Sequence, residues 1–194
     1  MKSNASAGFK SKPIPDPRNA SSKPIEEKKE KTEEENFKGL EEEVHRLLEE
    51  SATSKVSKDL NDALQKAKEA AAKEKKIRQL RENAGTLDQV NIDLTFYVFY
   101  NLANMYHANN LHQEALNSYT IILKNKQYPQ ASRLRVNMGN IYFEQKKYDQ
   151  AIKMYNMALD STTQQNKDMK LKIKKNVGLA YVKQKRFGKA IEVY

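Results

Sequence analysis

The sequence predicts an all-α fold, in which antiparallel helix pairs stack into an open right-handed solenoid behind a disordered N-terminal tail. Three observations support this prediction. One pattern occurs three times: a tyrosine, then an alanine nine residues later, then a tyrosine four residues after that. A small residue lies three positions before each leading tyrosine. Prolines concentrate near the N-terminus. The three sets are Ala103, Tyr106, Ala115 and Tyr119; Gly139, Tyr142, Ala151 and Tyr155; and Gly178, Tyr181, Ala190 and Tyr194.

The helical period explains why these residue types recur. Residues three or four positions apart lie on the same face of a helix. We expect the small residue to let the second helix of each pair approach closely, while the tyrosine fills the seam to the next pair. Alanine and the following aromatic residue divide these roles in the second helix. Three copies in one register are the signature of the tetratricopeptide repeat.

Residues 1–36 are predicted to be the disordered tail. They contain four of the five prolines and a mixed charge run from Glu26 to Glu35, with Ile14 and Ile25 as their only branched aliphatic residues. Such a segment cannot bury enough apolar surface to offset the entropy lost on ordering.

Residues 37–85 are predicted to form a helical hairpin with a charged helical extension that ends near Gly85. Apolar residues recur at helical spacing from Val44 to Ala52, and again from Leu60 to Ala71. The spacing of Ala63, Ala67 and Ala70 matches that of Ala151, Tyr155 and Ala158. The segment is therefore either a degenerate repeat, in which alanine replaces the aromatic residue, or an ordinary hairpin.

Residues 91–194 are predicted to hold three repeats, each with a turn between its two helices, at 109–110, 146–147 and 185–186. The third repeat stops at Tyr194, before its second helix is complete. We therefore expect a fragment of a longer array, with a fraying last helix and an apolar end that favours self-association.

Composition and charge limit the classes of function. The formal net charge is +10, and most of the excess lies in residues 87–194, which suggests acidic partners or nucleic acid. Cysteine is absent, so thiol chemistry and disulfides are excluded. No segment has the pattern of a signal peptide or a membrane span, which predicts a soluble intracellular protein without membrane insertion.

No catalytic, cofactor or metal site is predicted. Neither a glycine-rich phosphate loop nor a nucleophile elbow occurs. His107 and His112 are five positions apart, a spacing that does not put both on one helical face. His112 is assigned a packing or turn role, and His45 is expected to face solvent.

Binding is expected at the inner wall of the solenoid, which the first helix of each repeat lines. The candidate residues combine amide, aromatic and cationic groups, a mixture suited to an acidic peptide or an amphipathic helix. They are Tyr97, Tyr100, Asn104, Arg133, Asn137, Asn140, Lys172 and Lys175.

Two other modes of binding have partial support in the sequence. Asn104, Asn137 and Lys172 match three of five positions in the carboxylate clamp of co-chaperones, but Tyr100 and Asn176 replace its other two cations. Five lysines between Lys167 and Lys175 form the densest basic patch, yet no aromatic platform for nucleic-acid bases is interleaved with them. A solvated helix face or a docking surface for an acidic protein is the favoured interpretation of that patch.

Several stretches go beyond what the repeat demands, among them the Val-Asn-Met-Gly-Asn of residues 136–140. Together with residues 47–51, 63–70, 91–104, 133–142 and 151–160, they resemble the polaris-type tetratricopeptide subunits of intraflagellar transport complex B. The resemblance covers about residues 40–194. It implies a non-catalytic scaffold that contacts other complex B proteins, is needed for cilium assembly, and acts in the cytoplasm, cilium and basal body. The alternatives are a co-chaperone-type adaptor for acidic C-terminal peptides and a basic nucleic-acid-binding module.

Overall fold

The computed structural model describes residues 32–125 and 131–193, which contain eight α-helices and no strand. A short 3-10 helix, Leu87–Gln89, lies between the second and third α-helices. Each helix packs against the next one in the chain, so the helices form a row of antiparallel pairs. The predicted all-α solenoid is confirmed. The α-helices are α1 Glu33–Val56, α2 Leu60–Asn83, α3 Ile92–Ala108, α4 His112–Lys124, α5 Ala131–Glu144, α6 Tyr148–Asp160, α7 Lys167–Lys183 and α8 Phe187–Val193.

The start of α1 corrects the predicted boundary of the tail. Thr32 and Glu35 form a capping box, in which the Glu35 amide donates to Thr32 Oγ1 at 3.3 Å and the Thr32 amide donates to Glu35 Oε2 at 2.9 Å. The helix therefore begins at Glu33, inside the segment predicted to be disordered, because this charged run also supplies a helix start. The rest of that predicted tail, residues 1–31, lies outside the described residues.

All four helix pairs close with the same three-residue turn. The middle residue of each turn is left-handed, with φ of 66° at Lys58, 59° at Asn110, 60° at Lys146 and 61° at Lys185. The next amide donates to a carbonyl five residues back, as in Leu111 to Tyr106 and Asp59 to Ser54, both at 2.9 Å. The turn between α1 and α2 thus has the same geometry as the turns within the three predicted repeats.

The sequence of this first pair follows the same register with other residue types. Ser51 stands where the repeats have their small residue, and it is fully buried. Its hydroxyl donates to the carbonyl of Ala63 at 2.8 Å and accepts from Asn101 Nδ2 at 3.0 Å, so it joins α1 to both α2 and α3. Gly85 follows α2 with a φ of 70°, the left-handed conformation common after the end of a helix.

Apolar clusters between successive helices make up the core. One joins α1, α2 and the start of α3, and a second joins α2 to the remainder of α3. Two larger clusters follow along the repeats, and each includes a buried tyrosine, Tyr119 in α4 and Tyr155 in α6. Within the described ranges, no helix has both the length and the apolar character needed to cross a bilayer.

A small polar cluster is buried where α2 meets α1 and α3. Glu74 accepts a hydrogen bond from Thr95 Oγ1 and pairs with Arg78, both at 2.6 Å. Arg81 lies 4.2 Å from the Phe37 ring centroid and pairs with Glu34 at 3.3 Å. The bond between Glu74 and Thr95 joins α2 to α3, and the contacts of Arg81 join α2 to α1.

Candidate functional site

The signature residues form the seams that hold each pair together. Ala103, Ala115 and Ala151 are fully buried, and Gly139 and Gly178 are buried too. A Cβ added to Gly139 would lie 2.6 Å from Cδ1 of Tyr155, so the ring of α6 occupies the space that a side chain would need. Ala190 is also buried, Tyr106, Tyr142 and Tyr181 are half-buried, and Tyr194 lies outside the described residues.

Each buried tyrosine of a second helix reaches back to an asparagine on the first helix. Tyr119 donates to Asn104 Oδ1 at 2.7 Å, and Tyr155 donates to Asn140 Oδ1 at 2.8 Å. Burial raises the pKa of both tyrosine hydroxyls well above the usual range. The third repeat has Leu179 at the equivalent position.

A polar contact also crosses from the first repeat to the second. Asn137 Nδ2 lies 3.1 Å from the Tyr119 hydroxyl, 3.4 Å from Asn104 Oδ1 and 3.5 Å from the Tyr100 hydroxyl. The structure thus brings together three predicted wall residues, Tyr100, Asn104 and Asn137. Their amide and phenol groups form hydrogen bonds mainly with one another and with Tyr119. These residues therefore form a structural bridge between the first and second repeats.

The other predicted wall residues differ in their access to solvent. Tyr97 is 54% exposed, and its ring lies edge-on to Phe96 with centroids 5.6 Å apart. Arg133, Lys172 and Lys175 are exposed, whereas Asn140 is half-buried. An aromatic ring on α3 and cationic side chains on α5 and α7 therefore lie at the surface.

A cleft of about 330 Å³ opens between the second and third repeats. Five of its six lining residues come from the first helices α5 and α7, and only Tyr155 comes from a second helix. Its walls combine apolar, amide and carboxylate groups, the mixture that suits a peptide segment. The lining residues are Asn140, Phe143, Glu144, Tyr155, Asn176 and Leu179.

One cluster of polar side chains does not follow from the sequence periodicity. The turn at Asn109 and Asn110 reverses the chain, so the rings of His107 and His112 lie 5.9 Å apart. Glu144 at the end of α5 joins them, with Oε2 at 2.8 Å from His107 Nε2. The signal was present in the sequence, because the end of one helix and the start of the next always meet across a tight turn.

Comparison with known proteins agrees with this geometry. Residues 130–194 match the family described as tetratricopeptide repeat. These residues therefore carry tetratricopeptide repeats. Because the matched residues include the second and third predicted repeats, the family match and the spacing of tyrosine and alanine describe the same units.

The resemblance to an intraflagellar transport subunit is also confirmed. The chain is 47% identical over 150 residues to the protein named Intraflagellar transport protein 88 homolog from Homo sapiens. The match takes in 77% of this chain and 18% of that protein. The chain thus spans less than a fifth of the length of this human relative.

A solved structure supports the fold alone. The crystal structure of the apo form of RapI is similar with a TM-score of 0.63, although only 18% of the aligned residues are identical. The similarity covers 78% of this chain and 53% of the RapI chain.

Proposed function

We propose that this tetratricopeptide-repeat protein is a non-catalytic scaffold and protein-interaction subunit of the intraflagellar transport machinery. The observation that carries the proposal is the 47% identity over 150 residues with the human intraflagellar transport protein. In this proposal the protein contributes to cilium assembly, and it acts in the cytoplasm, the cilium and the basal body.

The proposed partners are other proteins of intraflagellar transport complex B. They would bind along the first helices of the repeats, where Tyr97, Lys172 and Lys175 are exposed and the cleft beside Leu179 opens. Exposed aromatic and cationic groups on a preformed helical scaffold favour an acidic peptide or an amphipathic helix. Tyr119 and Tyr155, in contrast, are buried and serve the fold.

Purification from ciliated cells tests this proposal. The full-length protein carrying a tag is captured, washed at high salt, and its retained partners are identified by mass spectrometry. We expect complex B proteins among them.

Tyr97→Ala should reduce their recovery, since aromatic anchors dominate binding energy at interfaces. Ile121→Ala is the matched control, because Ile121 lies on a second helix and is 56% exposed, against 54% for Tyr97. Recovery of no complex B protein would refute the proposal.

The co-chaperone alternative receives less support from the geometry. Its clamp needs the amides of Asn104 and Asn137 to face a peptide carboxylate, yet both amides are hydrogen-bonded to Tyr119. Tyr100 and Asn176 also supply no positive charge where the clamp needs cations. Isothermal titration with an acidic C-terminal peptide tests this point. Micromolar binding that is lost when the terminal carboxylate is amidated would favour the adaptor.

A further inference from the structure

His107, His112 and Glu144 bring three metal-ligating side chains together at the junction of three helices. His107 is next to the last residue of α3, His112 is the first residue of α4, and Glu144 is the last residue of α5. One ligand atom from each residue lies within 4.8 Å of the other two. Two repeats thus contribute to one cluster.

The spacing of these atoms is close to what a metal ion requires. Zn²⁺ binds imidazole nitrogen and carboxylate oxygen at about 2.0–2.2 Å, which places neighbouring ligand atoms roughly 3.3 Å apart in a tetrahedron. His107 Nε2 and Glu144 Oε2 are already closer than this, at 2.8 Å. The Glu144 side chain is 50% exposed, so its rotamers are free to open the pair around an ion.

The ring of His112 supplies the second observation. Its Nδ1 is shielded from solvent and has no hydrogen-bond partner among the described residues. A buried ring nitrogen without a partner costs free energy unless another group satisfies it. Metal ions bind histidine through one ring nitrogen and favour a hydrogen bond at the other. The ring of His112 therefore has a nitrogen without a partner and can take up a metal ion.

We propose that His107, His112 and Glu144 form a binding site for a divalent transition-metal ion, with Zn²⁺ as the expected occupant. Two imidazoles and one carboxylate match the preference of Zn²⁺ for nitrogen and oxygen ligands, whereas Mg²⁺ and Ca²⁺ favour oxygen alone. Three protein ligands leave a fourth position for water or for a side chain of a partner.

A metal ion here would fix the angle between the first two repeats. It would tie the end of α3 and the start of α4 to the end of α5, on the same interface that the bridge from Asn137 to Tyr119 holds. Each repeat of a solenoid contacts only its neighbours. One metal ion between two repeats would therefore set the orientation of the first repeat relative to the second.

Titration of the untagged 194-residue chain with ZnCl₂ tests the proposal. Isothermal titration calorimetry should show one saturable site for Zn²⁺. Titration with CoCl₂ should give the visible absorption of tetrahedral Co²⁺ at the same stoichiometry. Glu144→Gln and His112→Ala should each weaken Zn²⁺ binding by at least about tenfold, the lower limit seen when even an outer-shell partner is lost. His45→Ala is the matched control, because His45 is exposed on α1 and lies outside the cluster.

The melting temperature gives a second readout. Zn²⁺ should raise it in the unmodified chain and in His45→Ala, but not in Glu144→Gln, whose exposed side chain can change without disturbing the core. Saturable binding that survives both cluster substitutions would place the metal elsewhere and overturn the proposal, as would the absence of saturable Zn²⁺ binding. Either result leaves the proposed role in intraflagellar transport unaffected.

Discussion

At the residue scale, Gly139 marks the point where α5 and α6 approach most closely. Gly139→Ala should destabilise the chain by about 1–3 kcal/mol, because the added methyl group would overlap the Tyr155 ring. Gly39→Ala is the matched control. Gly39 lies inside α1 with no atom within 4 Å of an added Cβ, so alanine there should stabilise by about 0.5–1 kcal/mol. Urea unfolding followed by circular dichroism measures both, and equal stabilisation by the two substitutions would disprove the packing role of Gly139.

The buried tyrosines make a second residue-scale prediction, on pH. Burial raises the pKa of the Tyr119 and Tyr155 hydroxyls, whereas tyrosine in the unfolded chain ionises near pH 10. The unfolded state therefore loses protons first, so the contribution of these tyrosines to stability is present below about pH 10 and is lost as the pH rises further.

The double substitution Tyr119→Phe with Tyr155→Phe isolates this effect. At neutral pH it should cost about 1 kcal/mol for each lost hydrogen bond. Between pH 10 and 11 its free energy of unfolding should fall less steeply than that of the unmodified chain. Equilibrium unfolding in urea at several pH values measures the slopes. Parallel slopes would show that these hydroxyls do not contribute to alkaline destabilisation.

At the scale of the elements, the left-handed turn residues limit stability. Lys146 adopts a φ of 60°, a conformation that is strained for any residue with a Cβ. Lys146→Gly should therefore stabilise the chain by up to about 1 kcal/mol. Lys153→Gly, in the exposed middle of α6, should destabilise it by a similar amount, since glycine is unfavourable inside a helix. Thermal unfolding of the two variants compares them, and a loss of stability in both would contradict the turn geometry.

Helices and their turns were predictable from the sequence, because local periodicity and turn residues encode them. The bridge from Asn137 to Tyr119 was not predictable, because the periodicity of a single helix does not show which side chains meet between repeats. The cluster of His107, His112 and Glu144 was missed for a related reason, because helical periodicity does not extend across a turn. Thr32 was missed as a helix start because its neighbours have the composition of a disordered tail.

At the scale of the whole molecule, the residues that build the solenoid are buried, and the residues that we propose for partner binding are exposed. Buried tyrosines and small residues join the helices of each pair, and the bridge from Asn137 joins neighbouring repeats. Exposed groups such as Tyr97 and Lys172 lie on the first helices of the repeats. We therefore expect partners to bind the first helices and to leave the second helices uncovered.

Hydroxyl-radical footprinting with purified complex B proteins tests this claim most directly. Tyr97 and Leu179 report on the first helices and are 54% and 43% exposed. Ile121 and Met157 report on the second helices and are 56% and 39% exposed. Oxidation of each side chain is compared with and without the partner proteins by mass spectrometry. We expect labelling to fall at Tyr97 and Leu179 and to be unchanged at Ile121 and Met157. Protection of Ile121 and Met157, with Tyr97 and Leu179 still fully labelled, would contradict it.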